Sequence, residues 1–387
     1  MNPAIRALRR LYSQQTALTM SRAGRLYNKT NLAESSDEFP KNDSLKLMMY
    51  HYPFSIRDSI PRHDSEVTDV VKRFDQFCYY AGPERELYVG TIVLDCYQVI
   101  ESADNLTVKN LRLASILAWV FENITTGCIV GDDLLDGHGV RWNKPCWHKT
   151  LPANQTSFLD IKKIQTGAKL LLCKYFRNHP NFPQLLNLIC EFVHCIHLGQ
   201  TVDFNLSEAF RKTRDGDLLK MENYKTLVMY KTGFPLYVAA PLGAMYLANF
   251  DTHRYFPSKH IFEKLYIYRQ AQNDMWDCFC AHKDVGKTPS DVVNGKTTWI
   301  SGTVLLEANR RQLKKFLENY GREDIESQRI VFEIFDELDI VGLFRKFRRD
   351  LMWECDEHAS SVAHPAVAKM IHVLVEKYVN VYEDYEL

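Results

Sequence analysis

The sequence has no excess of charge of either sign and no cysteine pair that indicates a metal site. Its 48 Lys and Arg residues balance 48 Asp and Glu residues, which disfavours a nucleic-acid-binding surface. Its ten cysteines are scattered, and the closest pairs, Cys190/Cys195 and Cys278/Cys280, lack partners at zinc-site spacing. We therefore expect reduced, mostly buried thiols in an intracellular compartment. No apolar run reaches membrane-span length without a charge, so we expect no integral membrane segment.

Acidic residues are also absent from residues 1–33, which contain six Arg and Lys residues and many Ser and Thr. This composition is typical of an organellar transit peptide, and Arg10-Leu11-Tyr12-Ser13 resembles a matrix-protease cleavage site. A disordered basic tail without an address is the alternative. The expected location is therefore mitochondrial or cytosolic.

From about Leu45 onward, apolar residues recur at helical spacing, and neither strand alternation nor a Gly/Ser- or Pro-rich linker interrupts the pattern. We therefore predict one all-α domain over residues 45–387. The predicted helices are Ser65–Tyr80, Leu87–Glu101, Val108–Asp136, Leu159–Asn178, Gln184–Leu206, Lys220–Asn249, His260–Asp277, Ile300–Asn319, Ser327–Glu354 and Ala366–Tyr382.

The most informative stretch is the acidic end of the third predicted helix. Asp132 and Asp136 are four residues apart, and Asp133 and Asp136 are three apart, so the three carboxylates share one helix face. Carboxylates this close repel each other unless a cation lies between them. Oxygen ligands suit Mg²⁺, which proteins usually hold with one or two carboxylates and substrate phosphates. For this motif alone, a solvated acidic helix end is the alternative.

A second acidic helix end, at Asn273, Asp274 and Asp277, repeats the pattern about 140 residues later. Two such ends that face each other could hold several divalent ions around a diphosphate. This repetition makes a purely solvated surface a poor explanation.

Polar groups inside apolar helices, and basic residues after the acidic motifs, complete the pattern. Lys231 lies within an apolar helix that Pro235 should kink, and Gln200 lies within another. A buried lysine needs an anion, and carboxylates for metal with cations for phosphate describe a metal–diphosphate site. The further basic candidates in the loops after the two motifs are Arg141, Lys287 and Lys296.

From about residue 45 to its end, the chain resembles an isoprenyl diphosphate synthase of the farnesyl diphosphate synthase type. The matching motifs are Asp132-Asp133-x-x-Asp136 with Arg141, Gly199-Gln200-x-x-Asp203, Tyr230-Lys231-Thr232, and Gln270-x-Gln272-Asn273-Asp274-x-x-Asp277 with Lys287, Asp291 and Lys296. The resemblance implies a bundle of antiparallel helices around a deep central cavity, usually in a homodimer.

The resemblance also implies roles for these residues around an allylic prenyl diphosphate and three Mg²⁺ ions. The implied metal ligands are Asp132, Asp133, Asp136, Asn273, Asp274 and Asp277, with Asp132 and Asp136 foremost. The implied ligands of the substrate diphosphate are Arg141, Lys231, Lys287, Lys296 and Gln200. Of these two sets, Asp132, Asp136 and Lys231 are the predicted catalytic residues.

The chain departs from the family where the family binds its second substrate, isopentenyl diphosphate. An ungapped count places Glu86 and Val89 where the family has Lys and Arg, Thr125 where it has Gln, and Trp142 where it has a second Arg. The tail, residues 383–387, is acidic where the family's is basic. Each charge-assisted phosphate contact contributes about 1.5–3 kcal/mol. These losses therefore predict binding of isopentenyl diphosphate that is weaker by orders of magnitude.

An enzyme that ionises an allylic diphosphate without an acceptor must quench the carbocation itself, which is terpene synthase chemistry. The chain thus resembles the insect terpene synthases related to farnesyl diphosphate synthase. In this family the positions of Cys128 and Gly127 form the cavity floor, and such small residues favour farnesyl diphosphate and a sesquiterpene product, unless neighbours such as Phe121 close the space. Two alternatives remain: a chain-elongating synthase, in which Arg85 or another basic residue rebuilds the acceptor site, and a non-catalytic partner subunit.

Overall fold

A computed structural model describes residues 43–48, 68–82, 87–151, 154–256, 259–280, 289–362 and 364–378. Residues 1–33, Arg85, Glu86, Lys287 and the acidic tail therefore lie outside the described residues. Residues 44–48 are helical. The α-helices that follow are α1 Thr68–Tyr80, α2 Tyr88–Ile100, α3 Val108–Leu135, α4 Ser157–Phe176, α5 Phe182–Thr213, α6 Met221–Val228, α7 Ala240–Leu247, α8 Thr252–Tyr255, α9 Lys259–Phe279, α10 Asp291–Asn294, α11 Trp299–Glu307, α12 Arg310–Asn319, α13 Ile325–Glu337, α14 Ile340–Ser361 and α15 Pro365–Tyr378. The predicted all-α fold is confirmed.

The helix α3 lies at the centre of the bundle and carries the first acidic motif at its C-terminal end. Thr107 caps its first turn by accepting a hydrogen bond from the Asn110 amide. Its 28 residues give a length of about 42 Å. It packs against α2, α4, α5 and α7, so its apolar side chains form the core around which the other helices pack.

Two predicted helices are interrupted because a polar residue caps a new helix inside each. Asn309 starts α12 with a capping box, in which its side chain accepts amide hydrogen bonds and Gln312 bonds back to the Asn309 amide. Asp339, with φ of 50°, starts α14 by accepting a hydrogen bond from the Gly342 amide. Both breaks follow from local capping chemistry that the apolar periodicity does not register.

The predicted helix Lys220–Asn249 contains a π-helical segment, Met229–Ala239, between α6 and α7. A kink at Pro235 was predicted, and the backbone instead widens over eleven residues, with the Ala240 amide bonded to the Pro235 carbonyl. A π-helix joins residues five apart and often occurs at functional sites. Here it carries Lys231.

One β-hairpin lies between α3 and α4, and no strand was predicted there. Val140–Arg141 (β1) pairs antiparallel with Lys144–Pro145 (β2). The two turn residues, Trp142 and Asn143, have φ of 53° and 57°, as the tight hairpin turns that match strand twist require.

Two helices in the described part of the chain are long and apolar enough, by length and composition, to cross a membrane. They are α3, whose most apolar window is 78% buried, and α5, whose window is 33% buried. Both pack as elements of the bundle, which is consistent with the expected lack of an integral membrane segment.

Candidate active site

The first acidic motif divides its carboxylates between a cavity and a buried network. Asp132 and Asp136, one helical turn apart, line the cavity. Asp133 faces away: its Oδ1 accepts hydrogen bonds from Nε and Nη2 of Arg141, at 2.8 and 2.5 Å, and lies 3.0 Å from Nδ1 of His138. Asp133 is therefore outside the cavity lining. Its carboxylate, that of Asp132 and the ring of His138 still offer ligand atoms within 4.8 Å of one another, so its predicted role as a metal ligand stays a prediction.

Asp203, from α5, is the centre of the charged cluster. Its Oδ2 accepts hydrogen bonds from Nζ of Lys231 at 2.6 Å and from Nζ of Lys296 at 3.0 Å. Lys231 also reaches Oδ1 of Asp132 at 3.1 Å, and Lys296 reaches Asp136 at 3.0 Å. The two lysines therefore tie both cavity-facing aspartates of α3 to α5.

A close backbone approach brings Lys231 to this cluster. Gly199 of α5 faces the π-helical segment, and a Cβ added there would lie 2.3 Å from the backbone nitrogen of Lys231. No side chain fits at that distance. Glycine at this position therefore allows the segment to pack on α5 one turn from Asp203.

The charges of the cluster stabilise one another. Burial alone would lower the pKa of the Lys231 ammonium, but Asp132 and Asp203 outweigh it and raise that pKa well above its ordinary value. Burial opposes ionisation of Asp132, but Lys231 and Lys296 hold its pKa below the ordinary value. Burial and the charge of Asp132 raise the pKa of Asp136. Both lysines are therefore charged and able to face a diphosphate.

The residues of this cluster fit a hard divalent cation. Carboxylate oxygens of Asp132, Asp136 and Asp203 all lie within 4.8 Å of one another. The three carboxylates exceed the two ammonium groups by one negative charge. A donor set made only of oxygens, with negative charge in excess, is what Mg²⁺ prefers.

The second acidic motif is also divided between the cavity and the surrounding structure. Asn273 and Asp274, on α9, line the cavity. The Asp274 carboxylate accepts hydrogen bonds from Nε2 of Gln270 at 2.9 Å and from the Trp299 amide at 2.8 Å. Thr232 donates to Oε1 of Gln270 at 2.6 Å. The side chain of Asp274 is thus oriented by the neighbour of Lys231 and by the first turn of α11.

Asp277, a predicted metal ligand, is not among the residues that line the cavity. Its Oδ1 accepts hydrogen bonds from the amides of Ser290 at 3.0 Å and Asp291 at 2.9 Å. Asp277 thus anchors the start of α10, while Asp291 lines the cavity in its place.

A chain of hydrogen bonds joins the two acidic motifs through His138, which itself lines the cavity. Nδ1 of His138 lies 3.0 Å from Asp133, and its Nε2 lies 2.8 Å from Oγ of Ser290, whose amide binds Asp277. The two carboxylates that face away from the cluster therefore connect the end of α3 to the loop before α10.

The hairpin positions Arg141 at the mouth of the cavity. Besides Asp133, its Nη2 lies 3.8 Å from Oδ2 of Asp132. Trp142 follows it in the turn, lines the cavity, and packs on Tyr80 with ring centroids 5.9 Å apart. The acidic motif thus fixes Arg141 beside the cavity, and a guanidinium is a group that binds phosphate through charge-assisted hydrogen bonds.

The cavity has a volume of about 530 Å³, within the range of about 300–1,000 Å³ usual for small-molecule sites. It brings together most of the predicted site residues, namely Asp132, Asp136, Arg141, Gln200, Lys231, Asn273, Asp274, Lys296 and Cys128. Val89, Thr125 and Trp142, three of the predicted departures from the family, line the same cavity without a charge. Nε2 of Gln200 is buried there with no hydrogen-bond partner among the described residues.

The placement of Gly127 differs from the prediction. A Cβ there would meet Cγ of Gln165 at 3.0 Å and Cγ2 of Ile164 at 3.2 Å, both on α4. Gly127 is therefore a close helix contact and does not line the cavity, whereas Cys128 does and lies 3.5 Å from Nε2 of Gln165. Phe121 does not close this space, because it packs in the core against Phe192 at 5.0 Å.

Sequence reasoning missed three residues of the site. Asp203 stands in a quoted motif, and its position four residues after Gly199 was the signal for its role. Arg269 lies four residues before Asn273, and so on the same face of α9. Tyr88 begins α2 and also lines the cavity, but the residues around it carry no pattern that indicates this.

Proteins similar to this chain were found by sequence and by fold. The family model for polyprenyl synthetase matches residues 79–338. The chain is 27% identical over 286 residues to the farnesyl pyrophosphate synthase of Kluyveromyces lactis, a match that covers 73% of this chain and 81% of that one. It is 24% identical over 330 residues to the geranyl diphosphate synthase of Ips pini, covering 82% and 79%.

Among solved structures, the chain is similar to the farnesyl diphosphate synthase of T. brucei bound to a bisphosphonate. The TM-score is 0.78 at 21% identity, and the match covers 87% of this chain and 99% of that one. At this identity the likeness is one of fold. The Ips pini protein, named as a geranyl diphosphate synthase, gives weak support to the insect part of the narrower resemblance.

Proposed function

The chain belongs to the polyprenyl synthetase family, and we propose that it ionises an allylic prenyl diphosphate with the help of Mg²⁺. The observation that carries this proposal is the cluster of Asp132, Asp136 and Asp203 with Lys231 and Lys296 on one wall of the cavity. Three carboxylates attract metal. The partly buried Lys231 and the buried Lys296, both with raised pKa values, offer lasting positive charge to phosphate oxygens.

In this proposal Asp132, Asp136, Asn273 and Asp274 would hold the metal. Bound there, three Mg²⁺ ions would neutralise the diphosphate and make it a better leaving group. Asp133 and Asp277, named as ligands from the sequence, act instead by orienting the two motifs through His138 and Ser290.

The protein's own cations assist the departure of the diphosphate. The bond between C1 of the prenyl chain and the diphosphate oxygen breaks, and both bonding electrons leave with the diphosphate. Lys231, Lys296 and Arg141 lie where the developing negative charge arises and stabilise it, and we assign Lys287 the same role. The prenyl chain extends past Cys128, Ile196 and Leu236, which line the cavity with apolar groups and exclude water.

The relatives favour transfer of the prenyl cation to a second isoprenoid diphosphate. The Kluyveromyces lactis and Ips pini proteins are both named as prenyl diphosphate synthases. In that reaction, the double bond of isopentenyl diphosphate attacks C1, a proton is lost, and a diphosphate longer by five carbons forms. We take this transferase reaction, the alternative at the level of sequence, as the favoured fate of the cation.

A terpene synthase remains the second candidate, because Val89, Thr125 and Trp142 line the cavity without the charge or amide donors that the family uses for isopentenyl diphosphate. The cation would then be quenched within the cavity, with farnesyl diphosphate as substrate and a sesquiterpene or its alcohol as product. The aromatic faces of Trp142 and Trp276, both in the cavity lining, would stabilise it.

One experiment separates the two fates. Purified full-length protein is incubated with Mg²⁺ and allylic diphosphates of ten and fifteen carbons, with and without radiolabelled isopentenyl diphosphate. Label in longer diphosphates identifies the transferase, whereas volatile hydrocarbon or alcohol in a solvent overlay without isopentenyl diphosphate identifies the terpene synthase. The absence of both, with Mg²⁺ present, contradicts the proposed ionisation and leaves the non-catalytic partner subunit.

We further propose a homodimer in an intracellular location. Large apolar side chains are exposed on two neighbouring helices: Phe158, Leu159 and Leu170 on α4, and Leu198 and Phe204 on α5. Several large exposed apolar side chains on adjacent elements are typical of a protein interface. Light scattering coupled to gel filtration tests the dimer, and a mass of about 45 kDa, that of one chain, would contradict it.

A further inference from the structure

A fourth Arg or Lys side chain lines the cavity in addition to Arg141, Lys231 and Lys296. Arg269, on α9, lines the cavity, and its Nε donates a hydrogen bond to the hydroxyl of Tyr88 at 3.2 Å. Its guanidinium carbon lies 4.9 Å from the ring centroid of Tyr88 and 5.0 Å from that of Trp276. Two aromatic rings and one hydrogen bond therefore fix the guanidinium at the cavity wall.

This position adjoins the place where the second-substrate pocket has lost its charge. Tyr88 is the first residue of α2, and the next residue, Val89, is where an ungapped count from the first acidic motif places an arginine of the family. Val89 is 2% exposed and lines the same cavity. Arg269 thus places a guanidinium from α9 beside the first turn of α2, where this chain has Val89 and no arginine.

The spacing along α9 suits two anions bound side by side. Arg269 is four residues before Asn273, which places it about 6 Å along the helix axis from the metal-facing residues. A second diphosphate at Arg269 would therefore lie beside the diphosphate held at the two acidic motifs.

The chemistry of arginine matches this role. Contacts with aromatic rings engage the face of the guanidinium, while its five N–H donors project from the edge in the fork that phosphate accepts. Among the described residues, the other Arg and Lys side chains in the cavity lining are Arg141, Lys231 and Lys296, each of which pairs with an aspartate. Arg269 adds a fourth such cation, which the rings of Tyr88 and Trp276 hold.

We propose that Arg269 binds the diphosphate of the second substrate, and so replaces the basic residues that the chain lacks at Val89 and Trp142. This proposal rests on the proposed function, in its transferase form. It makes Arg269 the residue on which acceptance of a second prenyl diphosphate depends.

The test is equilibrium binding of radiolabelled isopentenyl diphosphate to the full-length protein in Mg²⁺. The variants are Arg269→Gln, which removes the charge, and Arg269→Lys, which keeps the charge but loses the planar fork. Loss of a charge-assisted hydrogen bond to phosphate should weaken binding by Arg269→Gln about ten- to hundred-fold, with Arg269→Lys in between. The Michaelis constant for the allylic diphosphate should change by less than about two-fold, a split that a general loss of structure would not produce.

Arg254 provides a matched control. Its guanidinium also lies over a tyrosine ring, that of Tyr255 at 5.1 Å, but it is exposed on α8 and outside the cavity lining. Arg254→Gln should bind both substrates like the parent. Thermal unfolding of each variant shows whether it remains folded.

Equal binding of isopentenyl diphosphate by the parent and by a folded Arg269→Gln overturns the proposal, and so does a parent that does not bind it at all. If Arg269→Gln does not fold, Arg269→Lys decides in the same way. Failure of the proposed function has a different signature: no turnover of an allylic diphosphate under any condition, whatever the binding comparison shows.

Discussion

Replacement of Asp203 by asparagine tests the charged cluster, because this one carboxylate holds both Lys231 and Lys296. Its Oδ2 accepts hydrogen bonds at 2.6 and 3.0 Å, and 5% of its side chain is exposed. A hydrogen bond to a charged group contributes about 1.5–3 kcal/mol. Because Asp132 and Asp136 still hold the lysines, we expect a loss near the lower limit for two such bonds, about 3 kcal/mol.

The expected loss of stability is measurable. An unfolding entropy of about 2.1 cal/mol/K per residue amounts to about 0.8 kcal/mol/K for 387 residues. A loss of about 3 kcal/mol then lowers the melting temperature by about 4 °C. Diphosphate release should fall by about ten-fold or more, since each 1.4 kcal/mol of lost transition-state stabilisation costs about ten-fold in rate.

The assay is thermal unfolding and diphosphate release of Asp203→Asn, with and without Mg²⁺. Asp217→Asn is the control: Asp217 also pairs with a lysine, Lys220 at 2.8 Å, but on the surface, with 74% and 52% of the two side chains exposed. It should match the parent in both measurements. A melting temperature and a turnover of Asp203→Asn within error of the parent would refute the assignment of Asp203 as the anchor of both lysines.

Three further predictions concern the metal ligands, the cavity floor and the N-terminal residues. Mg²⁺ with inorganic diphosphate should raise the melting temperature of the parent, since a ligand at 100 Kd stabilises the folded state by about 2.7 kcal/mol. Asp132→Ala should abolish both this rise and turnover. Asp277→Ala should retain part of both, and equal losses in the two variants would show that Asp277 binds metal directly. Cys128→Phe should shift selectivity from the fifteen-carbon toward the ten-carbon diphosphate. Gly127→Phe should chiefly lower the melting temperature, because its ring meets α4. A selectivity shift in Gly127→Phe alone would reverse this assignment. Deletion of residues 1–31 should leave turnover unchanged and move a fluorescent fusion from mitochondria to cytosol, and an unchanged location would show that they are no address.

The fold was predictable because its main signal is periodic. Apolar residues at helical spacing placed α3 within one residue of its observed end. The breaks before α12 and α14 were not predicted, since a capping side chain such as that of Asn309 or Asp339 ends a pattern without changing its period. The same applies to the hairpin, in which each strand has two residues, too few for alternation to be recognised.

The candidate site was predictable where a motif faces the cavity and not where it serves the structure around it. Asp132 and Lys231 were found because carboxylates and lysines are costly in apolar helices. The different roles of Asp133 and Asp277 depend on partners 5 and 13 residues away, His138 and Ser290, which spacing does not reveal. Arg269 was missed because its hydrogen-bond partner, Tyr88, is 181 residues away in the sequence.

The π-helical segment makes the site sensitive to chain length as well as to residue type. Such a segment holds more residues per turn than an α-helix, and here it presents Lys231, Thr232, Pro235 and Leu236 to one cavity. Deletion of one residue from it would favour the α-helical pitch and rotate everything on one side of the deletion by about 100° relative to the other. Lys231 would then turn away from Asp203 while the composition of the segment stayed almost the same. Substitutions along this stretch should therefore have graded effects, whereas a single deletion should uncouple the lysine from both of its aspartates at once.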